Sequence, residues 1–346
     1  MSLRDRARTM LRGPDVVAPR TPVLSFGSWD EFSSTERVIQ ICHPDWRGVR
    51  TVAYAFGSPV VECDNLTLWS DYLMDHITAA SVEVVVIQGW PPGAGRFAAR
   101  LEEVGIEMKC VLHSSPAQHG AEAGEAAVVD EVFTLRESGI LTEVGMVKVG
   151  VPDAFTAAGY PVTYVPNRVP VMPQLDRVDL GPGLHVGVFA EPFWRKNVVT
   201  QLLAVGLLDG AVAHVMRRPE MSYLDGIAVV EHGELAWERF VALQGSVDIN
   251  LYVTLSECHP ATPQESYLAG VPCLTSRVSA VFRDDPVLWD LTTVDEADNP
   301  SSIARAARRL LQSQDEAVMR ARAWMIEADE RGAEAWDRFV NDAAAR

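Results

Sequence analysis

The chain has few of the features that mark membrane or secreted proteins. No run of eighteen apolar residues occurs among its 346 residues, and its N-terminus shows no apolar core of a signal peptide. We therefore expect a protein that neither spans a membrane nor is secreted, and that works in the cytoplasm.

Cysteine is scarce and unpaired in the sequence. The five cysteines are far apart and no Cys-x-x-Cys pair occurs, which is typical of reduced thiols and not of a disulfide framework or a zinc site. The sequence also contains no Walker loop, no Gly-x-Ser-x-Gly elbow and no His-Glu-x-x-His motif. These absences predict no metal site.

Basic residues are outnumbered by acidic ones. Lys and Arg together number 30 and Asp and Glu 47, so the formal net charge is -17. Such a surface repels a phosphate backbone on average, which disfavours a general nucleic-acid binder. The first twenty residues differ, because they carry five arginines. We interpret residues 1–22 as a loosely ordered arm, with weak contact to an anionic membrane surface as the alternative.

The sequence does contain a regular alternation of strand-like and helix-like segments. In the first half, the sequence predicts strands at residues 38–42, 59–63, 82–87 and 108–112. The segment 128–133 and the strand-like segment 164–166 complete this half. The strand-like runs of the second half are residues 184–189, 213–216, 227–230, 249–255 and 273–275. Helical patterns lie between many of them, one beginning near Arg50, so we predict parallel βαβ units in two α/β halves.

Proline and glycine mark the junction between the halves. Gly181-Pro182-Gly183 interrupts the pattern and follows several prolines, as an interdomain linker would. We predict an N-terminal domain over residues 23–170 and a C-terminal domain over residues 171–325. A final helix over residues 326–346, with Trp336 and Phe339 on buried faces, could cross back to the N-terminal domain.

Two carboxylates in the stretch 256–272 are the most informative feature. Glu257 follows an apolar strand, and Glu265 lies near the start of a predicted helix. Thr262 suits the N-cap, Pro263 the first helical position, and Glu265 the place from which a capping-box acid reaches back. This order would bring both acids and free backbone N–H groups to the carboxyl edge of a parallel sheet, where ligands bind.

The spacing of these acids resembles a known motif. Glu257 and Glu265, followed by Ala269-Gly270-Val271-Pro272, are similar to the Glu-x7-Glu motif of retaining glycosyltransferases of the GT-B fold, family 4 type. The similarity covers about residues 186–281, and the N-terminal half matches only in outline through Gly48 and His113. The resemblance implies an α/β protein of the GT-B fold, with two Rossmann-like domains facing across a cleft and a C-terminal helical tail.

The resemblance also implies an activity. A sugar would be transferred with retention from a nucleotide diphosphate sugar, UDP- or GDP-linked, to a hydroxyl-bearing acceptor, without a required metal or other cofactor. The C-terminal domain would bind the donor and the N-terminal domain the acceptor. No Asp-x-Asp triplet occurs, which counts against the metal-dependent GT-A alternative. The oligomeric state is left open.

The resemblance implies roles for individual residues. Glu265 would bind the donor ribose, Glu257 the transferred sugar and Lys196 the diphosphate, in keeping with the hydrogen bonds a carboxylate accepts from a diol. His113 would face the donor sugar from the opposite wall, so we expect catalytic roles for His113, Lys196 and Glu257. The expected donor-binding set is Gly48, Arg195, Lys196, Gly233, Glu257, Cys258, His259, Thr262, Pro263 and Glu265.

Two departures from the family pattern keep alternatives open. Many members have an Arg about five residues before the Lys, where this chain has Glu191, so Arg195 is the candidate replacement. The first loop has one glycine, Gly48, where two are common. A catalytically inactive GT-B subunit that binds sugar or acts as a scaffold, and a GT-B nucleotide-sugar epimerase or phosphorylase, therefore stay as alternatives. The two acids also have interpretations without a ligand: Glu265 would then only cap a helix, and Glu257 would be a solvated surface carboxylate.

Overall fold

The computed structural model of the protein describes residues 22–24, 37–173 and 176–341. The predicted arm over residues 1–22 therefore lies almost wholly outside the described residues. The described chain forms two α/β domains, each built on one sheet.

The N-terminal sheet is almost entirely parallel. Its strands are β1 (Val23–Leu24), β2 (Val38–Cys42), β3 (Val60–Glu62), β4 (Val84–Gln88), β5 (Glu107–Leu112), β6 (Glu143–Met146) and β7 (Thr163–Tyr164). Within the described residues the order is β1-β3-β2-β4-β5-β6-β7, with only β1 and β3 antiparallel. Strand β4 is buried over its whole length, as expected for a central parallel strand covered on both faces.

Helices cover both faces of this sheet. They are α1 (Arg47–Ala55), α2 (Leu66–Ala79), α3 (Ala94–Glu103), α4 (Pro116–Ala121), α5 (Ala123–Glu137) and α6 (Val151–Ala157). Helix α2 begins where it does because the Asn65 side chain accepts hydrogen bonds from the N–H groups of Thr67 and Leu68, at 3.0 and 3.3 Å.

The C-terminal sheet is parallel throughout its described strands. They are β8 (Leu184–Val188), β9 (Ala211–Val215), β10 (Val229–Glu231), β11 (Ile249–Tyr252), β12 (Cys273–Ser276) and β13 (Thr293–Val294). The order is β10-β9-β8-β11-β12-β13. From β8 the chain continues to β9 on one side, and from β11 it continues to β12 on the other side. The strand order therefore reverses between β8 and β11, and a crevice opens at such a reversal, outside the carboxyl ends of the strands.

The C-terminal domain has its own helices. They are α7 (Val198–Val205), α8 (Trp237–Gln244), α9 (Ala261–Leu268), α10 (Pro286–Thr292), α11 (Pro300–Gln312) and α12 (Gln314–Asn341). Gly270 follows α9 with a φ of +84°, and the N–H of Val271 donates to Ser266 O at 2.9 Å. A glycine suits this left-handed position, so the predicted end of the helix at Gly270 is confirmed.

The long helix α12 joins the two domains. It packs first on the C-terminal core, while Trp336 and Phe339 near its end lie in a cluster with apolar residues of the N-terminal sheet. The Trp336 ring stacks on Phe56, with centroids 4.2 Å apart. Lys109 Nζ of β5 donates to Phe339 O at 2.5 Å. The last turns of the chain thus belong to the N-terminal domain.

The predicted fold class is confirmed, with local differences. The described chain has two parallel-sheet, Rossmann-like domains and a C-terminal helix. The segment 128–133 lies in helix α5, whereas strand β6, which lies between β5 and the edge strand β7, was not predicted because Glu143–Met146 is too short and mixed to show a strand pattern. None of the described helices is long and apolar enough to cross a membrane.

Candidate active site

The two sheets meet across a cleft at their carboxyl edges. Ser115, after β5, and Ser256, after β11, join their hydroxyl oxygens in a hydrogen bond of 2.6 Å. Lys148, after β6, donates from Nζ to the main-chain oxygens of Val278, at 3.0 Å, and of Glu257. Groups at the ends of strands from both domains therefore hold the cleft closed in this structure.

Glu257 is a buried anion in the C-terminal wall of the cleft. Its Oε2 accepts hydrogen bonds from Lys196 Nζ at 2.5 Å and Tyr252 OH at 2.9 Å, and Arg195 Nη1 lies 3.6 Å away. Burial alone would raise the pKa of Glu257, but the two cations and the hydrogen bonds bring it below its ordinary value. The interpretation of Glu257 as a solvated surface carboxylate is therefore wrong, because the side chain is buried.

Both cations come from one short turn after β8. Arg195 and Lys196 lie in the 3-10 turn Trp194–Lys196, and Asn197 then starts helix α7 with a φ of 56°. The N–H of Leu255 donates to Arg195 O at 2.7 Å, so this turn is tied to the loop that carries Glu257. The sequence predicted both cations in the site, and the structure brings them together with Glu257.

Helix α9 starts earlier than the sequence predicts. Its first residue is Ala261, Pro260 is the N-cap, and no side chain caps it. A capping-box acid reaches back only from the third helical position, and that position is Pro263, where a missing N–H is harmless. Thr262 is the second helical residue and Glu265 the fifth, so the predicted capping box is wrong.

Glu265 is buried without a hydrogen-bond donor. Its side chain is in a residue only 4% exposed, and none of the described residues donates a hydrogen bond to its carboxylate. Burial raises the pKa of Glu265 to about 7, an effect that the nearby Arg47 partly opposes. A buried carboxylate without partners costs free energy, and such groups are concentrated at functional sites. Capping therefore does not explain this acid, and among the described residues Arg47 is the charged group that acts on it.

Arg47 is a site residue that the sequence reasoning missed. It begins helix α1 in the N-terminal domain, yet its Nη2 donates to Leu235 O of the facing wall at 3.3 Å. Its guanidinium carbon lies 4.9 Å from the centre of the Phe240 ring, over its face. The signal available in the sequence was an arginine at the end of the first strand-to-helix turn, directly before Gly48.

The two predicted site glycines lie in different surroundings. Gly48 is the second residue of α1, not part of a loop, because α1 begins three residues before the predicted Arg50. A Cβ added at Gly48 would meet nothing within 4 Å. Gly233, after β10, has a φ of +68° and donates its N–H to Met216 O at 2.9 Å. Backbone conformation alone explains Gly233, whereas none of the described residues requires a glycine at position 48.

His113 lies at the end of β5, in the N-terminal wall. Its Nε2 is 2.8 Å from Gln88 Oε1. Burial, with a contribution from His259, lowers the pKa of His113 to about 3. The ring is therefore neutral at neutral pH and lies within electrostatic reach of the facing domain.

The side chains of Cys258 and His259 contact other residues of the protein instead of pointing to the Glu257 cluster. Cys258 is packed in the cluster with Trp336, and burial and the neighbouring Glu257 raise the pKa of its thiol to about 12. His259 Nδ1 accepts a hydrogen bond from the N–H of Asn167 at 3.0 Å, and burial lowers its pKa to about 4. The structure does not bring these two side chains into the Glu257 cluster, although both were predicted to bind the donor.

No metal cluster is found in the part of the chain that the structure describes. Within residues 22–24, 37–173 and 176–341, no three His, Cys, Asp or Glu side chains are arranged to hold an ion. The histidines His185, His214 and His232 form a row across the C-terminal sheet, with successive ring nitrogens 2.9 Å apart, and so bond one another.

Solved structures of sugar-phosphate synthases have the same fold. A UDP-forming α,α-trehalose-phosphate synthase from Burkholderia xenovorans, in complex with glucose-6-phosphate, matches with a TM-score of 0.61 and 12% identity, over 89% of this chain and 100% of its own. Sucrose-phosphate synthase from Thermosynechococcus elongatus matches with a TM-score of 0.57 and 14% identity, over 88% and 95%. At these identities the likeness shows a shared fold, GT-B. No protein-family model matches the chain, and a search of curated protein sequences found no match.

Proposed function

We propose that the protein is a retaining glycosyltransferase of family 4 type, which moves a sugar from a nucleoside diphosphate sugar to an acceptor hydroxyl. The observation that carries the proposal is that one cleft wall combines a buried acid with a pair of cations. Glu265 is a buried acid without a hydrogen-bond donor, and Arg195 and Lys196 form a pair of cations at the same sheet edge. A nucleoside diphosphate offers the complement of both, a ribose diol and a diphosphate.

Glu265 would bind the ribose. An ionised carboxylate accepts two hydrogen bonds from a diol, and these bonds would replace the donors that the protein does not supply. Ligand binding would then favour the charged form of an acid whose pKa is about 7 in the free protein. Arg47, whose charge acts on Glu265, would add positive charge near the nucleotide.

Arg195 and Lys196 would bind the diphosphate. In the free protein they neutralise Glu257, at 3.6 and 2.5 Å. A bound diphosphate would share these cations with Glu257. Glu257 would accept hydrogen bonds from hydroxyl groups of the transferred sugar, while the hydrogen bond from Tyr252 holds the Glu257 side chain in place. The charge that builds on the leaving diphosphate would be stabilised by both cations and by the N-terminus of α7.

The acceptor would attack from the face that the diphosphate leaves. The bond between the anomeric carbon and the phosphate oxygen breaks, a bond from the acceptor oxygen forms, and the leaving phosphate takes the acceptor proton. This course retains the anomeric configuration, and we propose that the protein cations serve in place of a required metal. The structural neighbours, UDP-forming synthases among them, support a nucleotide-sugar donor.

One observation favours a second function, a GT-B subunit that binds a sugar nucleotide without turning it over. Glu191 is exposed at the position where many family members have a phosphate-binding Arg. An anion there repels the diphosphate, so it weakens donor binding and opposes the negative charge that develops on the leaving nucleoside diphosphate.

Titration calorimetry with UDP-, GDP- and TDP-sugars, followed by an assay of slow donor hydrolysis, tests both functions. We expect one of these donors to bind, and Lys196→Met to weaken it about ten- to a hundredfold, because a hydrogen bond to a charged group contributes about 1.5–3 kcal/mol. Arg218→Met is the control, since it removes a cation paired with Asp225 on the exposed surface of the same domain.

The outcomes separate the candidates. Binding with turnover supports the transferase, and binding without turnover, even with a range of acceptors, supports the subunit. If none of the nucleotide sugars binds, or if Lys196→Met and Arg218→Met have equal effects, the proposed donor site is wrong.

A further inference from the structure

Two buried glutamines lie side by side in the middle of the apolar N-terminal sheet. Gln40 in β2 and Gln88 at the end of β4 are both 0% exposed. A buried amide in an apolar layer is costly unless its polar atoms are hydrogen-bonded. The hydrogen bonds of this pair lead to His113.

The direction of these hydrogen bonds is set by main-chain carbonyls. Gln40 Nε2 donates to Ala53 O at 2.8 Å and to Ser58 O at 3.1 Å. Because a carbonyl oxygen can only accept, the Gln40 amide has one orientation, and its Oε1 must accept from Gln88 Nε2, at 2.8 Å. Gln88 Oε1 then faces His113 Nε2, at 2.8 Å, and this nitrogen must carry the proton.

We infer that Gln40 and Gln88 are positioning residues, which hold His113 as the Nε2–H tautomer and leave its Nδ1 as a bare hydrogen-bond acceptor for the ligand in the cleft. None of the described residues gives Nδ1 a hydrogen bond. The group that meets this nitrogen must be a donor. Resting on the proposed function, we assign it as a hydroxyl of the transferred sugar, so the donor class is a sugar with a free hydroxyl at that place.

The alternative orientation would have a different consequence. If the Gln88 amide were reversed, its Nε2 would donate to His113 Nε2, and the proton would move to Nδ1. His113 would then offer an N–H to the cleft and select a carbonyl or another acceptor. The carbonyls of Ala53 and Ser58, at least 30 residues away in sequence from Gln88, thus decide what the site recognises.

Nitrogen NMR of the histidine rings tests this inference. In protein labelled with ¹⁵N-histidine, a bare ring nitrogen and a protonated one have separate shifts, and His113→Asn identifies the His113 signals. We expect His113 to be fully Nε2–H in the wild-type protein. Gln40→Met keeps the volume of the side chain but releases the Gln88 amide, so a measurable fraction of the His113 rings should become Nδ1–H.

His185 provides an internal control. It lies in the other domain, and its Nε2 is 3.2 Å from the carbonyl oxygen of Gly181, so Gln40→Met should leave its signals unchanged. An Nδ1–H signal for His113 in the wild-type protein would overturn the inference, even if the variant does not fold. An unchanged His113 tautomer in folded Gln40→Met would overturn the role of the glutamines.

The result is separable from the proposed function. If His113 is Nε2–H but the protein binds no nucleotide sugar, the positioning role of Gln40 and Gln88 is supported and the assignment of a sugar hydroxyl as the ligand is wrong. If the protein binds a donor but His113 is Nδ1–H, the proposed transferase function is supported and the positioning role of Gln40 and Gln88 is wrong.

Discussion

Glu265→Gln should make the protein more stable and its donor binding weaker. In the structure, Glu265 is buried among described residues that donate no hydrogen bond to its carboxylate, and the charge of Arg47 acts on it. Glutamine has nearly the same shape but no charge to bury. Stability and function are therefore expected to change in opposite directions, as they do when a group is retained for a ligand.

The size of the stability change follows from the pKa. Burial raises the pKa of Glu265 from 4.5 to about 7, so between these values the folded protein binds more protons than the unfolded chain. The stability contributed by the neutral acid is fully present below pH 4.5 and is lost as the pH rises through 7. Between about pH 5.5 and about pH 8 this loss amounts to about 2 kcal/mol. Because glutamine does not titrate, Glu265→Gln should gain about 2 kcal/mol over the wild-type protein across that range.

Urea unfolding at several pH values, together with calorimetric titration of the donor, measures both effects. The variant should lose about ten- to a hundredfold in affinity, the equivalent of one hydrogen bond to a charged group. Glu103→Gln, at the exposed end of α3, is the control and should change neither quantity. The reasoning fails if the stability difference does not grow with pH, or if Glu265→Gln binds the donor as tightly as the wild-type protein.

Three further predictions concern the cleft. Gly48→Ala should leave stability unchanged or raise it by up to about 1 kcal/mol, since the space is open and alanine favours a helix, yet weaken donor binding, because Gly48 belongs to the expected donor-binding set. Lys148→Met removes a cation that bonds two main-chain carbonyls of the facing domain, so small-angle scattering should show a more open molecule without donor. Acid should destabilise the protein: the lowered pKa values of His113, His214 and His259, about 3, about 4 and about 4, mean that the unfolded chain takes up three extra protons below about pH 6.5. After subtraction of one proton for Glu265, the expected loss is about 2.5 kcal/mol per pH unit between about pH 6 and about pH 5.

Each of these predictions has a contradicting result. Equal donor affinity of Gly48→Ala and the wild-type protein would remove Gly48 from the proposed donor site. An unchanged scattering profile for Lys148→Met would mean that other contacts close the cleft. Stability that is constant or rises between about pH 6 and about pH 5 would contradict the burial of neutral histidines.

Much of the fold is predictable from the sequence because a parallel sheet has a strong local signature. Strands such as β4 are continuous apolar runs bounded by turns, and their alternation with helices leaves few arrangements. The start of α9 was predicted wrongly because Thr262 and Pro263 fit a cap in isolation, whereas the chain enters the helix two residues earlier. Local propensity does not show how a loop leaves a sheet.

The candidate site was only half predictable. The spacing of Glu257 and Glu265 marks the C-terminal wall, but their different surroundings, one acid paired with cations and the other without a donor, depend on residues far apart in sequence. Arg47 and Lys148 of the N-terminal wall were missed for the same reason. A signal was present: the chain has three lysines, Lys109, Lys148 and Lys196, and in the structure each one bonds a group in another part of the fold.

The most direct test of the central claim is to follow the anomeric carbon of the donor by NMR while purified protein consumes a nucleoside diphosphate sugar. The account predicts release of the nucleoside diphosphate and a first-formed product with the anomeric configuration of the donor, and Glu257→Gln should slow this step far more than Glu103→Gln. A product of inverted configuration would contradict the proposed same-face reaction. Failure to consume any UDP-, GDP- or TDP-sugar with any acceptor would contradict the transferase itself.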